Sequence, residues 1–399
     1  MGNRKRKGSN ILNMAQAKTV VILGGGTGGL VTAIQLKKKA DKQTRVVVID
    51  KNPNHVYSPS FLWLMLGKRS AKQIQRPLAR LERKGIEFVR DAVVEIDVEH
   101  KKVVTHEQTI HYDYLIIALG ADLAPERVPG LAQSGYNLYE LPDVERLQGD
   151  LKTFSGGKVA VVIASLPFKC PAAPYEAAFL LDEFFEKRGV RDKTEINIYT
   201  PEPLPIPATG PANGKAVRDM LEARHIQFNS EVNLASVEPD TKQLVFENGR
   251  SEHFDLLVFV PPHLGPKVIR DSKIGNEPGW IPVDGRTLKT KYENVYAIGD
   301  VAAITLVSGK PLPRAGVFAH FEAEVVAANI VASIKGSPSD KEFDGNAFCF
   351  LETGYGKAGL ASGNFYADPV PEVKMKRPGR RWHWGKVLFE KYWLWKWLR

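Results

Sequence analysis

Thr19-Val-Val-Ile-Leu-Gly-Gly-Gly-Thr-Gly-Gly-Leu30 decides how this chain is read. Val20 to Leu23 has the pattern of a short buried strand, the glycine cluster forces a sharp turn, and a helix runs from Gly28 to about Lys38. The spacing Gly24-x-Gly26-x-x-Gly29 fits a dinucleotide fingerprint. Gly24 allows the tight turn, Gly26 lets the backbone approach a pyrophosphate, and Gly29 lets the helix sit close to the strand. The helix N-terminus then turns its unpaired N–H groups toward phosphate. A second strand pattern follows, Arg45-Val-Val-Val-Ile-Asp50, and Asp50 stands about 20 residues after Gly29, where a carboxylate accepts ribose hydroxyls. The alternative is a packing turn without ligand. It gives way because the glycines lie between a β-branched run and an Ala/Leu helix, with a strand after it.

Two later stretches extend the reading. Tyr112-Asp-Tyr-Leu-Ile-Ile-Ala-Leu-Gly120 is a strand pattern ending in small residues, which let the backbone pass close to a cofactor. Asn294-Val-Tyr-Ala-Ile-Gly-Asp300 is a strand ending in Gly299-Asp300, where the acid can accept ribityl hydroxyls. Pro313-Arg314-Ala315-Gly316 then opens a small-residue helix to about Ile334, whose N-terminus favours a reduced, anionic flavin. The three strand motifs, in this order, indicate FAD, and the chain resembles the flavoproteins with two dinucleotide-binding domains over nearly its full length. The fold class expected is therefore α/β: two tandem Rossmann-like domains plus a C-terminal membrane-interacting segment. The divisions expected begin with a disordered basic start (1–17) and a first FAD-binding segment (18–150). A second Rossmann-like domain (151–282) interrupts the FAD-binding domain, which resumes over 283–342. A β segment with a helical tail (343–399) closes the chain.

The second domain opens on Lys158-Val-Ala-Val-Val-Ile163 but lacks a glycine turn. Ala164-Ser-Leu-Pro-Phe-Lys-Cys-Pro-Ala-Ala-Pro-Tyr-Glu176 stands in its place. Without an N–H cradle, NAD(P)H is disfavoured as electron donor. Phe254-Asp-Leu-Leu-Val-Phe-Val260 echoes the Tyr112 strand, as two nested Rossmann units require.

At 399 residues the chain exceeds one ordinary core. No apolar run reaches the roughly 18–20 residues of a membrane span. The basic start lacks the apolar core of a secretory signal. The net charge is +10, and Lys374 to Arg399 contributes +8 of it, from nine Lys/Arg and one Glu. No nucleic-acid motif accompanies that charge. Five of the seven tryptophans also lie in the tail, and Trp and Tyr mixed with Lys and Arg suit a lipid headgroup boundary. On a helical wheel its apolar residues cover most of the circumference. Packing on a partner subunit is the other reading of the tail.

Cys170 and Cys349 are the only cysteines, and two so far apart are either inert or a redox pair joined by the fold. The runs Lys169–Glu176, Phe348-Cys-Phe-Leu-Glu-Thr-Gly-Tyr-Gly-Lys357 and Gly379-Arg-Arg-Trp-His-Trp-Gly-Lys-Val-Leu-Phe-Glu-Lys-Tyr392 resemble the sulfide:quinone oxidoreductases. The resemblance implies that Cys170 and Cys349 face the isoalloxazine and hold a growing sulfur chain. It also implies that Glu176 moves protons and that Lys386 stands near flavin and quinone. Hydrosulfide would attack an oxidised cysteine pair, since a disulfide is a good acceptor for a soft thiolate-like nucleophile. A nearby cation, Lys386 or Lys357, would favour thiolate. The partners implied are hydrosulfide and polysulfide, a membrane quinone, a lipid surface, no nucleic acid, and a possible homo-oligomer. The location implied is the periphery of a membrane.

The departures matter as well. A third cysteine, frequent in the family, is missing, so FAD should be non-covalent. The loop Thr200–Pro207 carries prolines where a histidine is frequent, and Arg314 replaces a usual lysine. Rival readings are a sulfide dehydrogenase flavoprotein with a cytochrome acceptor, a type II NADH:quinone dehydrogenase, and a flavin-bearing redox sensor.

Overall fold

In the computed structural model, which describes residues 17–338 and 341–399, the strand before the glycine cluster becomes the middle strand of a parallel sheet. The strand order is Val295–Ala297, Tyr114–Ile117, Thr19–Leu23, Arg45–Ile49, Glu87–Val89. Both faces of such a sheet are covered, which is why its strands read as unbroken apolar runs. Val20 and Ile22 face the helices Thr27–Lys39 and Gly316–Ile334, while Val21 and Leu23 join Ile269, Ile281 and the meander residues Ile96, Val103 and Ile110 on the other face. The two strands are parallel, but the order in which strands are added to the sheet reverses between Thr19–Leu23 and Tyr114–Ile117, so a crevice opens at their C-terminal ends. The basic start expected to be disordered lies outside the described residues except for Ala17.

The second sheet is also parallel, in the order Tyr136–Asn137, Leu256–Val260, Gly157–Ile163, Thr194–Tyr199, Ile226–Asn229. Its central strand leads into the helix Ala173–Lys187, of which nearly every residue to Phe185 is buried. The domain limits at 151, 283 and 343 stay a proposal. Pairing of Tyr136–Asn137 with Leu256–Val260 brings residues upstream of 151 into the second sheet.

A third, antiparallel sheet (Asn346–Glu352, Ala358–Asn364, Glu372–Gly379) precedes the closing helix Arg380–Leu398. That helix has two apolar faces. Trp393, Leu394, Trp397 and Leu398 are buried in the core of the first sheet's helices. Trp384, Leu388, Tyr392 and Trp395 form an exposed stripe on the outside. This explains why the wheel looked apolar nearly all round.

The helix Gly316–Ile334, with a mean hydropathy of 1.4, is long and apolar enough by length and composition to cross a membrane. The sequence reading found no such run. Ala323, Val326, Ala327 and Ile330 of this helix are fully buried against the helix Thr27–Lys39 and its neighbours, so it is a core helix.

Candidate active site

The glycine turn is shaped by contact. Gly24 has φ +100°, and a Cβ there would lie 2.3 Å from the Ala118 carbonyl oxygen. A Cβ on Gly29 would lie 1.9 Å from the carbonyl oxygen of Gly24, so strand and helix meet backbone to backbone. At Gly26 a Cβ would meet nothing within 4 Å. Gly26 caps the helix Thr27–Lys39 with no side-chain hydrogen bond, which leaves the first-turn N–H groups free. The helix Gly316–Ile334 starts alongside: Ala315 is also a cap without a side-chain bond, and a Cβ on Gly316 would lie 3.4 Å from Thr27 Oγ1.

Asp50 accepts the N–H of Gly25 at 2.6 Å on Oδ2 and that of Asn52 at 2.7 Å on Oδ1. It therefore braces the phosphate loop, and its ribose role is a proposal. Gly120 ends the small-residue turn with open space beside it. Gly299 donates to Glu322 Oε2 at 2.6 Å, and Arg314 Nε donates to the Asp300 carbonyl at 2.9 Å. The Asp300 carboxyl accepts no hydrogen bond from the described residues. Burial raises its pKa while Lys169 and Arg314 oppose the rise. Two uncapped helix starts, open space at Gly26 and an unused acceptor fit the pyrophosphate and hydroxylated chain of FAD.

The loop after Gly157–Ile163 does not offer a second cradle. At Cys170 its backbone groups are spent on the protein: Cys170 N–H donates to the Arg314 carbonyl at 2.6 Å, and Tyr139 Oη donates to the Cys170 carbonyl at 3.2 Å. Cys170 sits at φ +49°, a left-handed conformation held by these bonds. Cys349 comes from the strand Asn346–Glu352, opposite Ala361. Both cysteines line one cavity of about 560 Å³, with Arg314, Glu202, Phe348 and Phe350 also on its wall. Cys349 is exposed at this wall, among the residues that line the cavity. Its pKa is pushed up to about 11 by burial and by Glu176, with Lys386 opposing. That of Cys170 rises well above the usual thiol range, by burial first and then through Cys349 and Glu176. Lys386 acts on both sulfurs in the direction expected of a cation, toward thiolate, but desolvation outweighs it. Lys357 is exposed on the turn between the first two strands of the third sheet.

Glu176 and Lys386, 210 positions apart, form a buried pair at 2.8 Å. Glu176 Oε1 also accepts the N–H of Glu352 at 2.6 Å. The carboxylate of Glu352 faces His383 Nδ1 at 3.0 Å. Burial works against the Lys386 ammonium, but Glu176 and Glu352 outweigh it and hold its pKa above the ordinary value. The Glu176 carboxyl is raised by burial in spite of Lys386. Lys386 therefore stays charged, and a proton added to the pair goes to Glu176. Trp63 lies beside Lys386, 5.4 Å from ring centre to Nζ, and edge-on to His383. In the run Phe61–Leu66, Phe61–Leu64 is a buried helix, and Trp63 walls the lysine.

The sequence reading missed Glu202, Glu352 and Lys169. All three lie in stretches quoted from the sequence, but nothing local singles them out from their neighbours there. Each acquires its neighbours only when distant loops meet.

The family model described as pyridine nucleotide-disulphide oxidoreductase matches residues 18–323. The sulfide-quinone reductase of Aquifex aeolicus is 30% identical to this chain, over 95% of it and 91% of the relative. The mitochondrial sulfide:quinone oxidoreductase of Mus musculus is 28% identical, over 88% of this chain and 79% of the relative. The crystal structure of the sulfide:quinone oxidoreductase from Aquifex aeolicus superposes with a TM-score of 0.86 at 29% identity, covering 96% of this chain and 92% of that one.

Proposed function

The chain belongs to the pyridine nucleotide-disulphide oxidoreductase family and, within it, to the sulfide:quinone oxidoreductases, and from that premise we propose that it oxidises hydrosulfide to polysulfide sulfur and passes the electrons to a membrane quinone. FAD is the cofactor that this family implies. The observation that carries the reading is the meeting of Cys170 and Cys349 on the wall of one cavity, with the Cys170 amide tied to Arg314 of the FAD-domain return.

Each side chain has a role in this reading. Cys170 and Cys349 hold sulfur: hydrosulfide attacks one sulfur of the oxidised pair, and the other leaves as thiolate. Glu176 takes and releases protons beside the two cysteines, and Lys386 keeps a positive charge next to them. Phe348 and Phe350 exclude water from the sulfur chain. Gly24, Gly26, Gly29 and Asp50 hold the adenine-side phosphates and ribose. Asp300, Arg314, Ala315 and Gly316 hold the ribityl and pyrimidine end, with Gly120 and Gly299 in the turns between. Bound FAD supplies a two-electron acceptor for the reduced cysteine pair. The exposed stripe Trp384, Leu388, Tyr392 and Trp395, flanked by Arg381, Lys391 and Lys396, rests on the headgroup layer of a membrane as a peripheral anchor.

Anaerobic stopped-flow mixing tests the reading. Sulfide should bleach the flavin absorbance, NADH should not, and a decyl-quinone should restore it. In Cys170→Ala the sulfide-driven bleaching should fall by at least about 10²-fold; full retention would show the two-cysteine route to be wrong.

A further inference from the structure

Glu202 lies on the wall of the sulfur cavity and has no role in the scheme above. It follows the strand Thr194–Tyr199 within the proline-rich loop, and it is buried to 2% exposure. Its Oε2 accepts hydrogen bonds from the hydroxyls of Tyr175 and, at 3.4 Å, of Thr200. Among the described residues no donor reaches Oε1. The neighbouring residue on the same helix turn as Tyr175 is Glu176, which is already committed to Lys386 and to the Glu352 amide.

The other ionisable groups on that wall are Cys170, Cys349, Arg314 and Lys310. A guanidinium cannot accept a proton at any working pH, Lys310 is an exposed cation, and burial disfavours the thiolate of both cysteines. The rest of the wall is proline, phenylalanine and aliphatic carbon, with Thr209 and Met375. Away from those two cations, so apolar a wall favours a neutral molecule over an anion. Sulfide that enters through it arrives as hydrogen sulfide, which is a poor nucleophile until it loses a proton. A base inside the cavity is therefore required. Glu202 is the carboxylate on the wall, oriented by two hydroxyls, in the arrangement of a general base and its orienting groups.

We propose that Glu202 is the base of the sulfur cavity, accepting the proton of incoming hydrogen sulfide; the assignment deepens the proposed sulfide oxidation and rests on it. In the step, hydrogen sulfide gives one proton to the carboxylate, which becomes a neutral acid. The lone pair of the resulting hydrosulfide forms a bond to one sulfur of the oxidised cysteine bridge. The S–S bond of the bridge breaks, and its electron pair stays on the other cysteine as thiolate. Sulfide is oxidised, the bridge is reduced, and the proton waits on Glu202.

The electrostatics suit this task. Burial lifts Glu202 to about 7, with the Tyr175 and Thr200 hydrogen bonds pulling down. No cation registers on it. From the other elements around it, Tyr139 senses the charges of Cys170, Glu202, Glu176 and Asp300 together, which places Glu202 in the same electrostatic neighbourhood as the cysteine. Glu231, whose amide meets the Glu202 carbonyl at 3.4 Å, is exposed.

The test uses the flavin-loaded full chain. In Glu202→Gln, single-turnover bleaching by sulfide should fall about 10²-fold at neutral pH with flavin content unchanged. Glu322 is also lifted to about 7, so the readout is the infrared difference between wild type and Glu202→Gln, which should contain a protonated-carboxyl band that titrates near pH 7. Tyr175→Phe keeps the carboxylate but removes a bond that favours its charge, so the pH profile of bleaching should move to higher pH; this variant also decides the matter if Glu202→Gln fails to fold. Bleaching at the wild-type rate in Glu202→Gln, no titrating band, or an unmoved profile in Tyr175→Phe each overturns the base assignment and leaves sulfide oxidation standing. A wild-type flavin that sulfide does not bleach overturns both.

Discussion

At the scale of single residues, the Glu176–Lys386 pair shows what a buried charge requires. Both side chains are almost wholly removed from solvent, and each is the other's ionic partner at 2.8 Å. Removing one partner leaves a buried charge alone, which costs about 3–5 kcal/mol, whereas removing both in an apolar, similar-sized form is close to neutral. Lys386→Met should therefore destabilise by about 3–5 kcal/mol in urea unfolding, and Glu176→Gln together with Lys386→Met should recover most of it. Sulfide-driven bleaching should stay slow in the double variant. Activity that recovered along with stability would mean that the pair only supports the fold. Neither residue could be paired from the chain itself. Their types and their local motifs were legible, but the contact joins positions 176 and 386 through the third sheet.

At the scale of elements, the closing helix Arg380–Leu398 separates two roles onto two faces. Trp393 and Trp397 pack against His320 of the core helix Gly316–Ile334, with ring centres 5.3 and 5.6 Å apart. Trp393 Nε1 also reaches His55, whose Nδ1 lies 3.0 Å from the Gly25 carbonyl. The helix is thus tied to the phosphate loop. Trp393→Ala should cost about 3–5 kcal/mol and lower flavin retention. Ser in place of Trp384, Leu388 and Trp395 should leave the unfolding midpoint within roughly 0.5 kcal/mol of wild type, because these side chains are already exposed. The same triple change should abolish flotation with phosphatidylglycerol-containing vesicles. Retained flotation would place the lipid contact elsewhere.

At the scale of the whole molecule, two parallel sheets, a small antiparallel sheet and one helix assemble a cavity that no single element contains. The first sheet presents Arg314 and the FAD frame, the second presents Cys170 and Glu202, and the third presents Cys349 and hands over to Lys386. Charge is divided just as unevenly: residues Lys374 to Arg399 supply +8 of the net +10. Vesicle binding should therefore weaken as salt rises from about 0.05 to 0.5 M, while bleaching by sulfide in detergent should change little, since screening acts on exposed charges and spares buried ones. Salt-independent flotation would mean that the apolar stripe alone carries the binding. The sequence by itself determined the FAD frame, since Gly24, Gly29 and the acid-ended strands are local requirements of a turn, a close backbone contact and a helix start. Its short motifs also carried the two cysteines of the proposed pair. Only the tertiary structure decided that burial raises both thiols, that the tail is half core and half surface, and that Glu202 lines the cavity of the two cysteines. Those properties are set by desolvation and by contacts between residues far apart in the chain, and neither quantity exists until the chain has folded.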